Sequence, residues 1–143
     1  MEGTRAIGGW QFAVMRPRMA DYILSMPRGA QIMYPKDIAQ VLELGDIRAG
    51  ARVLESGAGS GAMSLHLLDA VTDRGSLTTI ELRPDFARVA EANATLYYGF
   101  RPQWWTLEWG ISIPSQPRCP NIITTASCST CSIRGIVWNR RIA

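Results

Sequence analysis

The chain has 143 residues, 47% of them hydrophobic, and a formal charge of +3; that is the length of one domain with apolar surface for a modest core, which excludes a disordered tail. No run approaches the ~18 to 20 uninterrupted apolar residues of a membrane span, and MEGTRAIGGWQFAVM holds no compact apolar block with a cleavage site behind it, so a cytoplasmic protein is expected. A pI near 9.0 permits a polyanionic partner such as RNA without demanding one, and a basic set whose one lysine is Lys36 reads as coding-sequence bias rather than a built surface.

Residues 1 to 11 are glycine-bearing and aperiodic, and 1–15 are set apart as a loose lead-in. Pro17 then stands in the first turn of a helix whose Met19, Tyr22, Ile23 and Met26 recur at helical spacing before Pro27 and Gly29 stop it. RGAQIMYPKD is an extended link. Pro35 opens a second helix, with Ile38, Val41 and Leu42 on one face and Gly45 at its end. The turn DIRAGA leads into the strand RVLES, a glycine loop, and a helix whose Met63, Leu67, Leu68 and Val71 share a face. SLTTIEL, rich in β-branched residues, is the second strand, and RPDFARVAEANATLYYG a helix begun by Pro84 and ended by Gly99. WWTLEW begins a third strand. Strand and helix alternating in units of ~20 to 30 residues specify a parallel α/β sheet with crossover helices.

Beyond that point the character changes. Eleven of the twelve acidic residues lie in positions 1–100 and only Glu108 follows; from Ile111 onward no helical or strand period is defensible. A domain over 16–109 and an unrelated or disordered tail over 110–143 are therefore expected. Cys119, Cys128 and Cys131 all fall in that tail, far from the single histidine, His66; a structural zinc site, which takes four such ligands, is not expected, and an odd cysteine count argues against a disulfide scaffold.

The loop VLESGAGSGAMSL carries the chemistry. Gly57-x-Gly59-x-x-Ala62 satisfies the dinucleotide fingerprint, a weak match, while no Lys-Ser or Lys-Thr pair follows to make a phosphate-cradling loop. Glu55 precedes the glycines in the spacing E-x-G-x-G-x-G, Glu55, Gly57, Gly59 and Gly61. A carboxylate beside a pyrophosphate would repel it. The sulfonium and ammonium of S-adenosylmethionine suit that carboxylate, and the helix N-terminus after Gly61 suits the methionine carboxylate. Glu81 ends the second strand, where either cofactor class would find an acceptor for its ribose hydroxyls.

From about Phe12 to Leu107 the sequence resembles the tRNA (adenine-N1)-methyltransferases that modify the T-loop adenine at tRNA position 58, the bacterial homotetrameric type in particular. The resemblance rests on MRPRMADYILSMPRGAQIMYPKDIAQVLELGDIRAGARVLESGAGSGAMSLHLLDAV and IELRPDFARVAEAN, with the RGAQIMYPKD link its most specific phrase. It implies a Rossmann-like S-adenosylmethionine-dependent methyltransferase fold, tRNA as partner, a homo-oligomer, and no metal or membrane. Ser60, Gly61, Ala62 and Met63 would meet the methionine end of the donor, Glu81 its ribose and Phe86 its adenine, with Gln31 and Tyr34 near the pocket mouth; Lys36 and Asp37 read as first-turn helix residues. The family mechanism so implied is in-line attack of adenine N1 on the sulfonium methyl, promoted mainly by positioning and exclusion of water.

Two acids of that family are not found. Aligning WWTLEWGIS on its third strand puts Ile111 where a donor-binding aspartate belongs, and nothing after Glu108 stands in for the catalytic aspartate that follows the fourth strand. At ~30 residues per βα unit a full sheet needs roughly 180 to 210 residues, so the chain is expected to hold only the N-terminal half of the sheet and to read through an unrelated frame beyond about Leu107. The competing expectations are a non-catalytic donor-binding or subunit-docking fragment and an NAD-binding oxidoreductase.

Overall fold

The computed structural model describes residues 2–5, 7–110 and 121–124. The chain begins with an antiparallel ribbon, β1 (Glu2–Arg5) paired with β2 (Gln11–Val14), so the expected loose lead-in is in fact a strand pair. Sequence period gives no sign of it because every residue of β2 is exposed; no buried face imposes the alternation of a half-buried strand. Helices α1 (Met19–Ser25) and α2 (Pro35–Leu44) follow, joined by the irregular link 26–34. Arg18 caps α1: its backbone N–H donates to Asp21 Oδ2 at 3.2 Å and its guanidinium pairs with the same carboxylate.

Next come β3 (Arg52–Ser56), α3 (Ala62–Val71), β4 (Ser76–Glu81), α4 (Pro84–Tyr98), β5 (Trp105–Trp109) and β6 (Asn121–Thr124). The four strands form one parallel sheet in the order β5-β4-β3-β6. The last strand is a finding against the sequence reading, which places no strand beyond Trp109: β6 lies beside β3 with Val53 opposite Asn121 and Ser56 opposite Thr124. Apart from Gly110 and β6, the tail, including Ile111 and the three cysteines, lies outside the described residues.

Helix α3 is the centre of the core. One apolar face is expected of it, yet Ala62, Met63, Ser64, Leu65, Leu67, Leu68 and Val71 are all buried, because α3 is packed on the sheet on one side and under α1 and α2 on the other. The sheet face turned to it carries Val53, Leu77 and Trp105, each 1% exposed or less. No helix among the described residues is long and apolar enough to cross a membrane.

Candidate functional site

The sheet reverses its winding at β3: the chain goes one way to β4 and β5 and the other way to β6. In open parallel sheets the carboxyl end of such a strand is where ligands sit, and the glycine loop leaves β3 at that end. Gly57 N–H donates to Ile80 O at 2.8 Å, which keeps the start of the loop on β4. Gly59 N–H donates to Glu81 Oε2 at 2.9 Å, and Arg83 N–H donates to Glu81 Oε1 at 3.0 Å. The Glu81 carboxylate thus ties the loop to the β4–α4 turn from the carboxyl end of β4, and it is 6% exposed. Gly61, at φ 88°, caps α3 in the left-handed region; a Cβ there would lie 3.1 Å from Ala90 Cα of α4. Backbone geometry and lack of room both require glycine at that position.

Glu55 occupies a different place from the one its spacing suggests. It is fully buried, and its Oε2 accepts from Ser64 Oγ at 2.7 Å and from Thr79 Oγ1 at 2.8 Å. Trp105 Nε1–H in turn donates to Thr79 Oγ1 at 2.8 Å, so a polar chain runs β5–β4–β3–α3 through the core. Among the described residues Glu55 Oε1 has no hydrogen-bond partner. Burial pushes the carboxyl up to about 7; the two hydroxyl bonds pull it down and the Glu81 charge adds to the rise. Strand alternation explains the placement, since Glu55 falls on the same face as Val53, the face that α3 covers.

The link between α1 and α2 lies against the loop. Ser60 Oγ accepts from the backbone N–H groups of Gly29 (3.2 Å) and Ala30 (3.0 Å) and donates to Ala30 O (2.8 Å). Ser60, Gly61, Ala62 and Met63 are all buried under these contacts, whereas Ser56 and Gly57 are half-exposed. Phe86 is half-buried with the Arg83 guanidinium 3.8 Å over its ring; a Cβ on Gly29 would come 3.1 Å from its edge. Gln31 and Tyr34 are exposed on the same link. Lys36 and Asp37 form an exposed pair at 2.7 Å in the first turn of α2. Sequence reasoning missed Asn93, whose buried amide bridges the link and the loop; only its place one helical face from Phe86 and Val89 hints at that contact.

The structure therefore gathers Gly57, Gly59, Ser60, Gly61 and Glu81 at one strand end, sets Glu55, Ala62 and Met63 beneath it, and Phe86 beside it. Bare backbone, a helix N-terminus and a strand-end carboxylate are the means of holding a nucleoside-like ligand that carries a carboxylate or other anionic end. The positions where acids are expected after β5 and after the fourth strand lie outside the described residues. Among the described residues no three His, Cys, Asp or Glu gather where a metal ion would sit.

A family model described as tRNA methyltransferase complex GCD14 subunit matches residues 9–96. The chain is 39% identical over 90 residues to the tRNA (adenine(58)-N(1))-methyltransferase TrmI of Thermus thermophilus, covering 63% of this chain and 35% of that protein. It is also 39% identical over 85 residues to the tRNA (adenine(57)-N(1)/adenine(58)-N(1))-methyltransferase TrmI of Methanocaldococcus jannaschii, covering 59% and 30% of the two. A crystal structure of a SAM-dependent O-methyltransferase from Thermotoga maritima superposes with a TM-score of 0.75 at 29% identity, over 86% of this chain and 46% of that one. The tRNA (m1A58) methyltransferase TrmI of Aquifex aeolicus, at 24% identity and a TM-score of 0.62 over 76% of this chain and 44% of that one, shares the fold. The chain spans about a third of the length of the relatives whose sequences it matches.

Proposed function

Because the chain belongs to the family of the tRNA methyltransferase complex GCD14 subunit, we propose that it is the donor-binding part of an S-adenosylmethionine-dependent tRNA methyltransferase, acting on N1 of a T-loop adenine. What supports this most is that the family match over residues 9–96 is coextensive with the elements that build the strand-end site. The Rossmann-like fold of methyltransferases, seen in the Thermotoga maritima likeness, points the same way.

The residues fit the donor. Each Glu81 oxygen already holds one backbone N–H and keeps a second lone pair, enough to accept the two ribose hydroxyls. The α3 N-terminus beyond Gly61 favours the methionine carboxylate. Ser60, Gly61, Ala62 and Met63 shape the floor under that end, and Phe86, held between Arg83 and Gly29, stands where an adenine would lie along its edge. Glu55 acts from below, its charge weakened by burial, and Gly57 and Gly59 leave the approach clear of side chains. When bound, the donor supplies an electrophilic methyl on a sulfonium. The chain's own share is to orient that group and to shield it from water beneath the 27–34 link. A homo-oligomer, tetrameric as in the bacterial type, and a cytoplasmic place of action complete the proposal; light scattering tests the first.

The experiment is calorimetric titration with S-adenosylhomocysteine, with NAD as competitor, beside tritiated-methyl transfer to unmodified tRNA. Glu81→Ala removes two charge-assisted acceptors and is expected to weaken binding by about tenfold to a hundredfold. Binding of NAD in preference to S-adenosylhomocysteine would overturn the donor assignment. Donor binding with no transfer would leave the chain a donor-binding module.

A further inference from the structure

Asn93 lies on α4, 2% exposed, with its side-chain nitrogen and its backbone carbonyl both engaged across element boundaries. Its Nδ2 donates both hydrogens, one to Pro27 O at 2.8 Å and one to Ser60 O at 2.9 Å. Its backbone carbonyl accepts from Tyr22 Oη of α1 at 2.8 Å. One amide therefore holds the start of the α1–α2 link and the glycine loop together, while Ser60 Oγ closes the same junction from the loop side through Gly29 and Ala30. Helix α4 is the anvil for both. A Cβ on Gly29 would meet Phe86 and Val89, which share the Asn93 face, and a Cβ on Gly61 would meet Ala90 one position round the helix. An apolar side chain in that space would take this donor away from the Pro27 and Ser60 carbonyls; an amide there gives direction, because it bonds two backbone carbonyls that belong to different segments.

We propose that Asn93 is a positioning residue for the donor site: its amide couples the segment bearing Gln31 and Tyr34 to the loop bearing Gly57 and Gly59, so that the mouth and the floor of the site move as one body. This rests on the reading of that loop as a donor site. Asn93 touches neither donor nor acceptor in this scheme and acts through Pro27 and Ser60.

The test uses the whole chain, trypsin, and S-adenosylhomocysteine as probe. Arg28 is exposed and precedes the coupled Gly29, and Arg74, exposed at the far end of α3, precedes Gly75; these two bonds report local and remote opening. In Asn93→Ala, cleavage at Arg28–Gly29 is expected to accelerate by about tenfold relative to Arg74–Gly75, and S-adenosylhomocysteine affinity to fall by a similar factor. Ser60→Ala keeps the Asn93 amide but loses the hydroxyl bonds, and it should release Arg28–Gly29 in the same selective way. Equal acceleration at both bonds in the two variants would mean general loosening and would overturn the proposal. So would selective release with unchanged affinity, which would uncouple the link from the donor. A wild-type chain that binds no S-adenosylhomocysteine overturns the donor reading itself, and the positioning role with it. A wild-type chain that binds, with an Asn93→Ala variant that binds equally well, overturns this inference alone.

Discussion

Substituting Gly61 by alanine tests how closely the glycine loop and α4 are fitted. Two independent terms act there. The left-handed backbone at φ 88° costs an L residue about 1–2 kcal/mol relative to glycine. The added Cβ then meets Ala90 at 3.1 Å from Cα, 3.3 Å from Cβ and 3.4 Å from the carbonyl oxygen. These are mostly backbone atoms of a packed helix and cannot rotate away, so overpacking adds about 1–3 kcal/mol. The total of about 2–5 kcal/mol is a large share of the roughly 5–15 kcal/mol that holds an ordinary domain, and it corresponds to a fall in Tm on the order of 10 °C for a chain of this size. Gly99 supplies the control: it has φ 77° at the end of α4 and, among the described residues, nothing within 4 Å of its would-be Cβ. Gly99→Ala therefore carries the backbone term alone, about 1–2 kcal/mol. Urea denaturation followed by tryptophan fluorescence and far-ultraviolet circular dichroism should show Gly61→Ala losing clearly more than Gly99→Ala. Equal losses in the two variants would refute the close approach of α4 to the loop.

Three further outcomes are expected. Glu55 has its folded-state pKa raised from 4.5 to about 7, so its stabilising contribution is complete below about pH 4.5 and is lost as pH rises through about 7; unfolding free energies measured across that window should fall for the native chain by on the order of 1–3 kcal/mol and stay level for Glu55→Gln. Thr79→Val removes a donor to Glu55 and the acceptor of the buried Trp105 indole N–H together, and a loss of about 1–3 kcal/mol with a changed Trp105 emission is expected in equilibrium unfolding; a neutral result would contradict the polar chain through the core. Gly29→Ala meets a ring edge rather than backbone, with Phe86 Cδ1 at 3.1 Å; because the ring can yield, the same denaturation series should place its cost at or below about 1 kcal/mol, less than that of Gly61→Ala.

Most of the helical and strand elements were legible because their signals are local. Pro35 and Pro84 open α2 and α4, Gly45 and Gly99 end them, and the β-branched run at 76–80 gives β4. The N-terminal ribbon and β6 were not legible, since a strand of four residues gains its identity from the partner it pairs with rather than from its own alternation. At the site, the glycines and Glu81 could be picked out by spacing alone. Glu55 was also found, but its environment was read from its position at the end of a strand when the period of two, shared with Val53, assigns it to the covered face. The bonds of Ser60 to Gly29 and Ala30, and of Asn93 to Pro27, join residues 31, 30 and 66 positions apart, and no local pattern encodes them.

The placement of β6 has a consequence for how the molecule is assembled. A ribosome delivers β3, β4 and β5 in order, each able to zip onto its predecessor as it emerges, but the strand that flanks β3 on its other side comes after all three. Until Asn121–Thr124 have left the exit tunnel, the first strand of the sheet keeps one row of backbone donors and acceptors uncovered. A nascent chain stalled before that point would present the half-walled sheet to chaperones until those four late residues arrive.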